Sequence, residues 1–192
     1  MGPRLGPHVG WLIGLIALPA VVIAQAFKHV DHPHWTSEYD HYFKKSAKHY
    51  FGTGFDWRWF KAQAITESGL EARARSKGGA LGLMQILPAT FAEIRAENPH
   101  FGSAREPKWN IAAGIYYDRT LYRKFPKAPE QDRLYLALAS YNAGFGKIRK
   151  AYRKALREAQ GPKRWPDVAR YAPGRTRHYV RRIHRLMRLD LG

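Results

Sequence analysis

The chain has 192 residues, a formal net charge of +18 and no cysteine. That composition excludes disulfides, thiolate metal sites, iron–sulfur clusters and a thiol nucleophile, and a hydrophobic content of 45% excludes a disordered chain. The excess of base points to an anionic partner: nucleic acid, a membrane surface or an acidic polymer.

Residues 1–26 come first. Arg4 precedes an uncharged run, Trp11–Ile23, and the small-x-small triplet Ala24-Gln25-Ala26 follows. This is the pattern of an export signal. A membrane-spanning helix wants about 20 apolar residues; the run is shorter, and Pro19 interrupts it. Residues 1–26 are therefore expected to be either a cleaved signal peptide or an uncleaved membrane anchor. Both send the remainder out of the cytoplasm, to the periplasm or cell envelope, and both argue against nucleic acid as the partner.

Residues 27–36 read as a polar linker. His29, His32, His34, His41 and His49 crowd this part of the chain, but their spacing follows no metal motif, so no metal ligand is assigned. Residues 37–192 form the expected domain. A helix starts near Ser37, capped by Ser37 or Thr36, and ends at Gly52. Asp56 is a predicted N-cap for a helix over 57–68, which Gly69 closes. Residues 74–88 read as irregular and glycine-rich. A short helix over 89–96 follows, then a longer one capped by Asn110 and ending before Pro126. Pro129 opens the next, stopped by Gly144. A basic helix over 147–159, a short one over 165–171 and a last one over 176–189 complete the chain. No alternating β-branched run is present, so the fold class is all-α, with about eight short helices.

Glu67 is the most constrained acid. It falls in the last turn of its helix, with the uncharged Gln63 and Ala64 one turn back. The helix dipole and an apolar wall both favour its protonated form, which suits a general acid near neutrality. The glycine-rich loop after it carries Ser76 and Gln85 and lets the backbone pass close to a ligand. Tyr141 and Asn142, at the end of a later helix, are placed to face the same groove.

Taken in order, Glu67-Ser68-Gly69, then Ser76-x-Gly-Gly-Ala80-x-Gly82-Leu83-Met84-Gln85-Ile86-x-Pro88-x-Thr90, then Asn110-Ile111-x-x-Gly114, then Ala139-x-Tyr141-Asn142-Ala143-Gly144 resemble the soluble-lytic (SLT), goose-type-lysozyme-like lytic transglycosylases. The resemblance spans about residues 56–180. It implies a lysozyme-like helical domain with a deep groove. It also implies non-hydrolytic cleavage of the β-1,4 bond between N-acetylmuramic acid (MurNAc) and N-acetylglucosamine (GlcNAc) in peptidoglycan, leaving 1,6-anhydroMurNAc ends, with no cofactor. By position, Glu67 is the single acid/base, Ser76 and Gln85 bond the sugar or orient Glu67, Met84 lines the groove, and Tyr141 and Asn142 form the opposite wall. Thr176-Arg177-His178-Tyr179-Val180 matches a further block and adds Tyr179 to the substrate-binding set; Arg175 stands where the family usually has Glu. A two-carboxylate glycosidase needs a second acid close by, and none lies within the matching blocks.

Residues 147–192 carry fifteen Lys/Arg against three acids. They are either a solvated helical face or a patch for a membrane surface or anionic envelope polymers. Peptidoglycan glycan strands are the expected substrate. A non-catalytic peptidoglycan-binding or envelope-assembly module on the same fold is the alternative, and the oligomeric state is left open.

Overall fold

Apolar residues at helical spacing build every element. The computed structural model describes residues 32–158, 161 and 163–188. Among them are eight helices: α1 (Asp40–Phe51), α2 (Arg58–Ser68), α3 (Pro88–Glu97), α4 (Pro107–Arg123), α5 (Glu130–Ala143), α6 (Phe145–Glu158), α7 (Trp165–Ala169) and α8 (Gly174–Arg188). The described residues hold no strand, only isolated bridges of Arg75 with Leu81 and of Leu81 with Ile86. The all-α expectation and the irregular stretch after α2 both hold.

Helix starts differ from expectation in several places, one being α6, which begins at Phe145 and not at 147. The chain makes a turn at 37–39, and Ser37 offers its carbonyl, not its hydroxyl, to the Asp40 N–H at 3.1 Å. Asn110 is not a cap. Pro107 opens α4, where its missing N–H costs nothing, and Asn110 sits one turn inside, buried. Likewise α8 starts at Gly174, so Thr176 lies within the helix. Asp56 stands one residue before the N-cap, Trp57, and its carboxylate accepts the Arg58 N–H at 3.0 Å.

Helices α4 and α5 pack together at the centre, with α1 on α4, α6 and α8 on α5, and α2 on α8. Phe60, Ile65, Leu83, Ile111, Ile115, Leu136 and Leu138 fill the space between them. Helix α6 presents Ile148, Ala151, Tyr152 and Ala155 inward, leaving its lysines and arginines outside. Helix α1 is tied to α2 by Lys61, which is buried, bonds Asp40 at 2.7 Å and lies 4.7 Å from the Trp35 ring. Trp57 and Trp59 pack in the same way, under Lys44 and against Tyr135. No helix among the described residues is long and apolar enough to cross a membrane; residues 1–26, read as signal or anchor, lie outside them.

Candidate active site

Helix α2 ends where the catalytic candidate begins. Gly69 adopts the left-handed conformation (φ 65°) and returns its N–H to Ile65. The chain then turns sharply, with Leu70 also at positive φ. This leaves Glu67 on the final turn, half-buried, its carboxyl facing α8.

Three side chains fasten the loop of residues 70–87 beneath it. Asn110 accepts the Met84 N–H at 2.8 Å and donates to the carbonyls of Leu81 and Ala104 at 2.9 and 2.8 Å. Ser68 donates to the Leu83 carbonyl at 2.9 Å, and Tyr141 donates to the Met84 carbonyl at 2.7 Å. Two glycines permit this closeness. A Cβ at Gly82 would sit 2.6 Å from Asn110, and one at Gly114 would sit 2.8 Å from Met84. The loop is thus a rigid floor.

Glu67 is oriented from α8. The Tyr179 hydroxyl donates to Glu67 Oε1 at 2.5 Å, across 112 positions of sequence. Burial pushes the Glu67 carboxyl up to about 7, while the Tyr179 bond, which favours the carboxylate, draws it part of the way back. Burial also holds the Tyr141 and Tyr179 hydroxyls far above the phenol range, so both act as hydrogen-bond donors.

Tyr141 stands beside the floor, its ring edge-on to Tyr117. Asn142 accepts from the Thr176 hydroxyl at 3.0 Å, tying α5 to α8. Ser76 is exposed on the loop and spends its hydroxyl on the Ala80 N–H at 3.0 Å. Gln85 donates to the carbonyls of Ala74 and Gly82. Neither orients Glu67, because each closes its own loop turn. Gln85 does so from a left-handed backbone (φ 48°), unusual for a side-chain-bearing residue. Met84 does not line a groove: it is fully buried, packed on Gly114 under the floor.

No sequence pattern gives Ser68 a role or marks the buried pair Gln63–Asp118 behind Glu67, beyond a polar residue at each of two helix positions that otherwise face the core. Among the described residues, no group of three or more His, Asp or Glu is placed to hold a metal.

The family model for the transglycosylase SLT domain matches residues 42–162. The chain belongs to the SLT transglycosylase domain family. Membrane-bound lytic murein transglycosylase F of Shewanella sediminis is 33% identical over 132 residues, covering 68% of this chain and 26% of the relative. The 70 kDa soluble lytic transglycosylase of Escherichia coli superposes with a TM-score of 0.63 at 23% identity, over 81% of this chain and 24% of that one. An inactive mutant of the lytic transglycosylase Slt from Pseudomonas aeruginosa gives the same TM-score at 26% identity, over 78% of this chain and 23% of that one. The SLT chain here therefore spans about a quarter of the length of the relatives it matches. The part of it carrying Tyr179 lies beyond the matched residues.

Proposed function

We propose that the chain is an exported lytic murein transglycosylase that works on peptidoglycan with Glu67 as its single acid/base. The observation that carries this reading is the state of Glu67: a carboxyl raised by burial to about 7 and steered by one donor, Tyr179. Such a group is substantially protonated at neutral pH and still ionises readily, which both halves of the reaction need.

In the first half, Glu67 gives its proton to the glycosidic oxygen. The MurNAc C1–O bond breaks, and GlcNAc departs with a free 4-hydroxyl. In the second, the Glu67 carboxylate takes the proton of the MurNAc 6-hydroxyl, whose oxygen bonds to C1 and closes the 1,6-anhydro ring. Glu67 ends protonated, and no water is consumed. Tyr179 stabilises the carboxylate between the two halves. Tyr141 and Asn142 border the sugar, Ser76 on the exposed loop reaches its rim, and Met84 and Gln85 support the floor.

The domain is read as residues 37–192, behind a signal or anchor over 1–26. The exposed bases of α6 and α8 would hold it to anionic lipid or envelope polymer. The deciding experiment compares wild type with Glu67→Gln on murein sacculi. Wild type is expected to release 1,6-anhydromuropeptides, and the variant to release none while keeping its helical content. Reducing-end products would make the chain a hydrolase. Binding to sacculi with no release by wild type would make it a wall-binding module.

A further inference from the structure

Behind Glu67 lies a second carboxyl that the proposed reaction does not use. Asp118 is on α4, one turn beyond Gly114, and is completely buried. It faces Gln63 of α2, equally buried, which lies one turn before Glu67 on the same face of that helix. Gln63 Nε2 donates to Asp118 Oδ1 at 3.4 Å. Two atoms of the pair are then left without a hydrogen-bond partner, Gln63 Oε1 and Asp118 Oδ2.

These two orphans are complementary in one protonation state only. An amide oxygen is always an acceptor, whereas a carboxyl oxygen becomes a donor when it carries a proton. A proton on Asp118 Oδ2 would turn that oxygen into a donor, and a second bond from it to Gln63 Oε1 would complete a ring between acid and amide and satisfy both orphans. A carboxylate would set oxygen against oxygen and bury a charge with nothing to balance it.

Among the described residues, no cation acts on Asp118. Gln63 and Glu67 act on Asp118 from α2. Tyr117 from its own helix, Tyr141 from α5 and Tyr179 from α8 all feel its charge. Glu93 of α3 acts on Tyr117, and α1 presents Tyr50 to Tyr116. The neighbouring cation, Arg119, sets its guanidinium over the rings of Phe51 and Tyr122.

We propose that Asp118 is a positioning residue, paired with Gln63 and kept a neutral carboxylic acid by its complete burial, so that the second carboxyl of the site neither repels ionised Glu67 nor offers a base to water. The inference deepens the single-acid reading of Glu67 and rests on it for its role, though not for its protonation state. Burial above all, and the charge of ionised Glu67, keep the proton on Asp118, against the Gln63 N–H, whose bond to Oδ1 favours the carboxylate. The pair also joins α2, one turn before Glu67, to α4.

The test uses Asp118→Asn, whose amide repeats both bonds of the ring, against Asp118→Ala, which repeats neither. Asp118→Asn is expected to keep kcat and KM within about twofold, to leave the alkaline limb of the kcat/KM profile unmoved, and to give the same anhydro products. Asp118→Ala is expected to lose at least about tenfold in kcat with little change in KM. If Asp118 were ionised, Asp118→Asn would remove a negative charge beside Glu67 and move that limb to lower pH, which would overturn the proposal. An activity-independent measurement is the infrared carboxylic-acid C=O band in a Glu67→Gln background at about pH 8. A band that persists there supports the neutral acid, and its absence refutes it. Failure of the transglycosylase reading would show in the sacculus products and leave that band unchanged.

Discussion

Replacing Tyr179 by Phe removes one oxygen and leaves the ring packing of α8 against α2 in place. The lost hydroxyl donates to Glu67 at 2.5 Å. A hydrogen bond to a charged acceptor is worth about 1.5–3 kcal/mol, against about 1 kcal/mol for a neutral one. The carboxylate form of Glu67 therefore loses about 1–2 kcal/mol more than the acid form. At 1.36 kcal/mol per pH unit, that raises the Glu67 titration by about one unit above its already elevated value of about 7. Steady-state cleavage of soluble peptidoglycan fragments across pH reads this directly. The alkaline limb of kcat/KM should move up by about one unit, and the plateau should fall by about tenfold as the carboxyl loses its fixed direction. A limb that stays in place or moves down would refute the argument, because Tyr179 would then not be the donor that stabilises ionised Glu67.

Three further outcomes follow from the same geometry. Glu67 holds its proton more tightly in the folded chain, rising from an ordinary 4.5 to about 7. Its contribution to stability is thus complete below about 4.5 and lost as pH rises through about 7, a difference of about 3 kcal/mol. Denaturation of Glu67→Gln should show a flatter decline over that window and the more stable protein at alkaline pH. Asn110→Ala orphans the Met84 N–H and the carbonyls of Leu81 and Ala104, and calorimetry should record a loss of about 3 kcal/mol or more. Gly114→Ala sets a Cβ 2.8 Å from Met84 and should cost about 1–3 kcal/mol in urea unfolding.

Most of the helices were legible because they combine an apolar stripe with plain stops: Gly52, Gly69 and Gly144 close α1, α2 and α5. Starts were harder to read. Asn110 has the side chain of an N-cap, and only the third dimension shows that it bonds a loop nearly thirty residues upstream instead. The same limit governed the site. Glu67 could be read from its helix position and its sequence block. The partner of its carboxyl, Tyr179, is brought in by packing of α8 on α2, which no local pattern encodes. Met84 illustrates the reverse: a position in a groove-forming block whose side chain turns inward because Gly114 leaves room for it. Asp118 was legible as an acid but not as a buried one, since its meeting with Gln63, 55 positions away, is set by the tertiary fold.

The hydroxyl that steers Glu67 lies seventeen positions past the matched stretch, which ends at residue 162. A fragment cut at that limit would keep the acid, the floor and the loop, but would strip the outer side of α2 and leave the carboxyl to water. On the proposed mechanism, the smallest unit expected to work therefore runs past residue 162 of this chain. Helix α8 turns Thr176 and Tyr179 inward, and holds Arg177, Arg181 and Arg185 to solvent. One helix thus joins the chemistry to the surface charge, and neither can be trimmed away without disturbing the other.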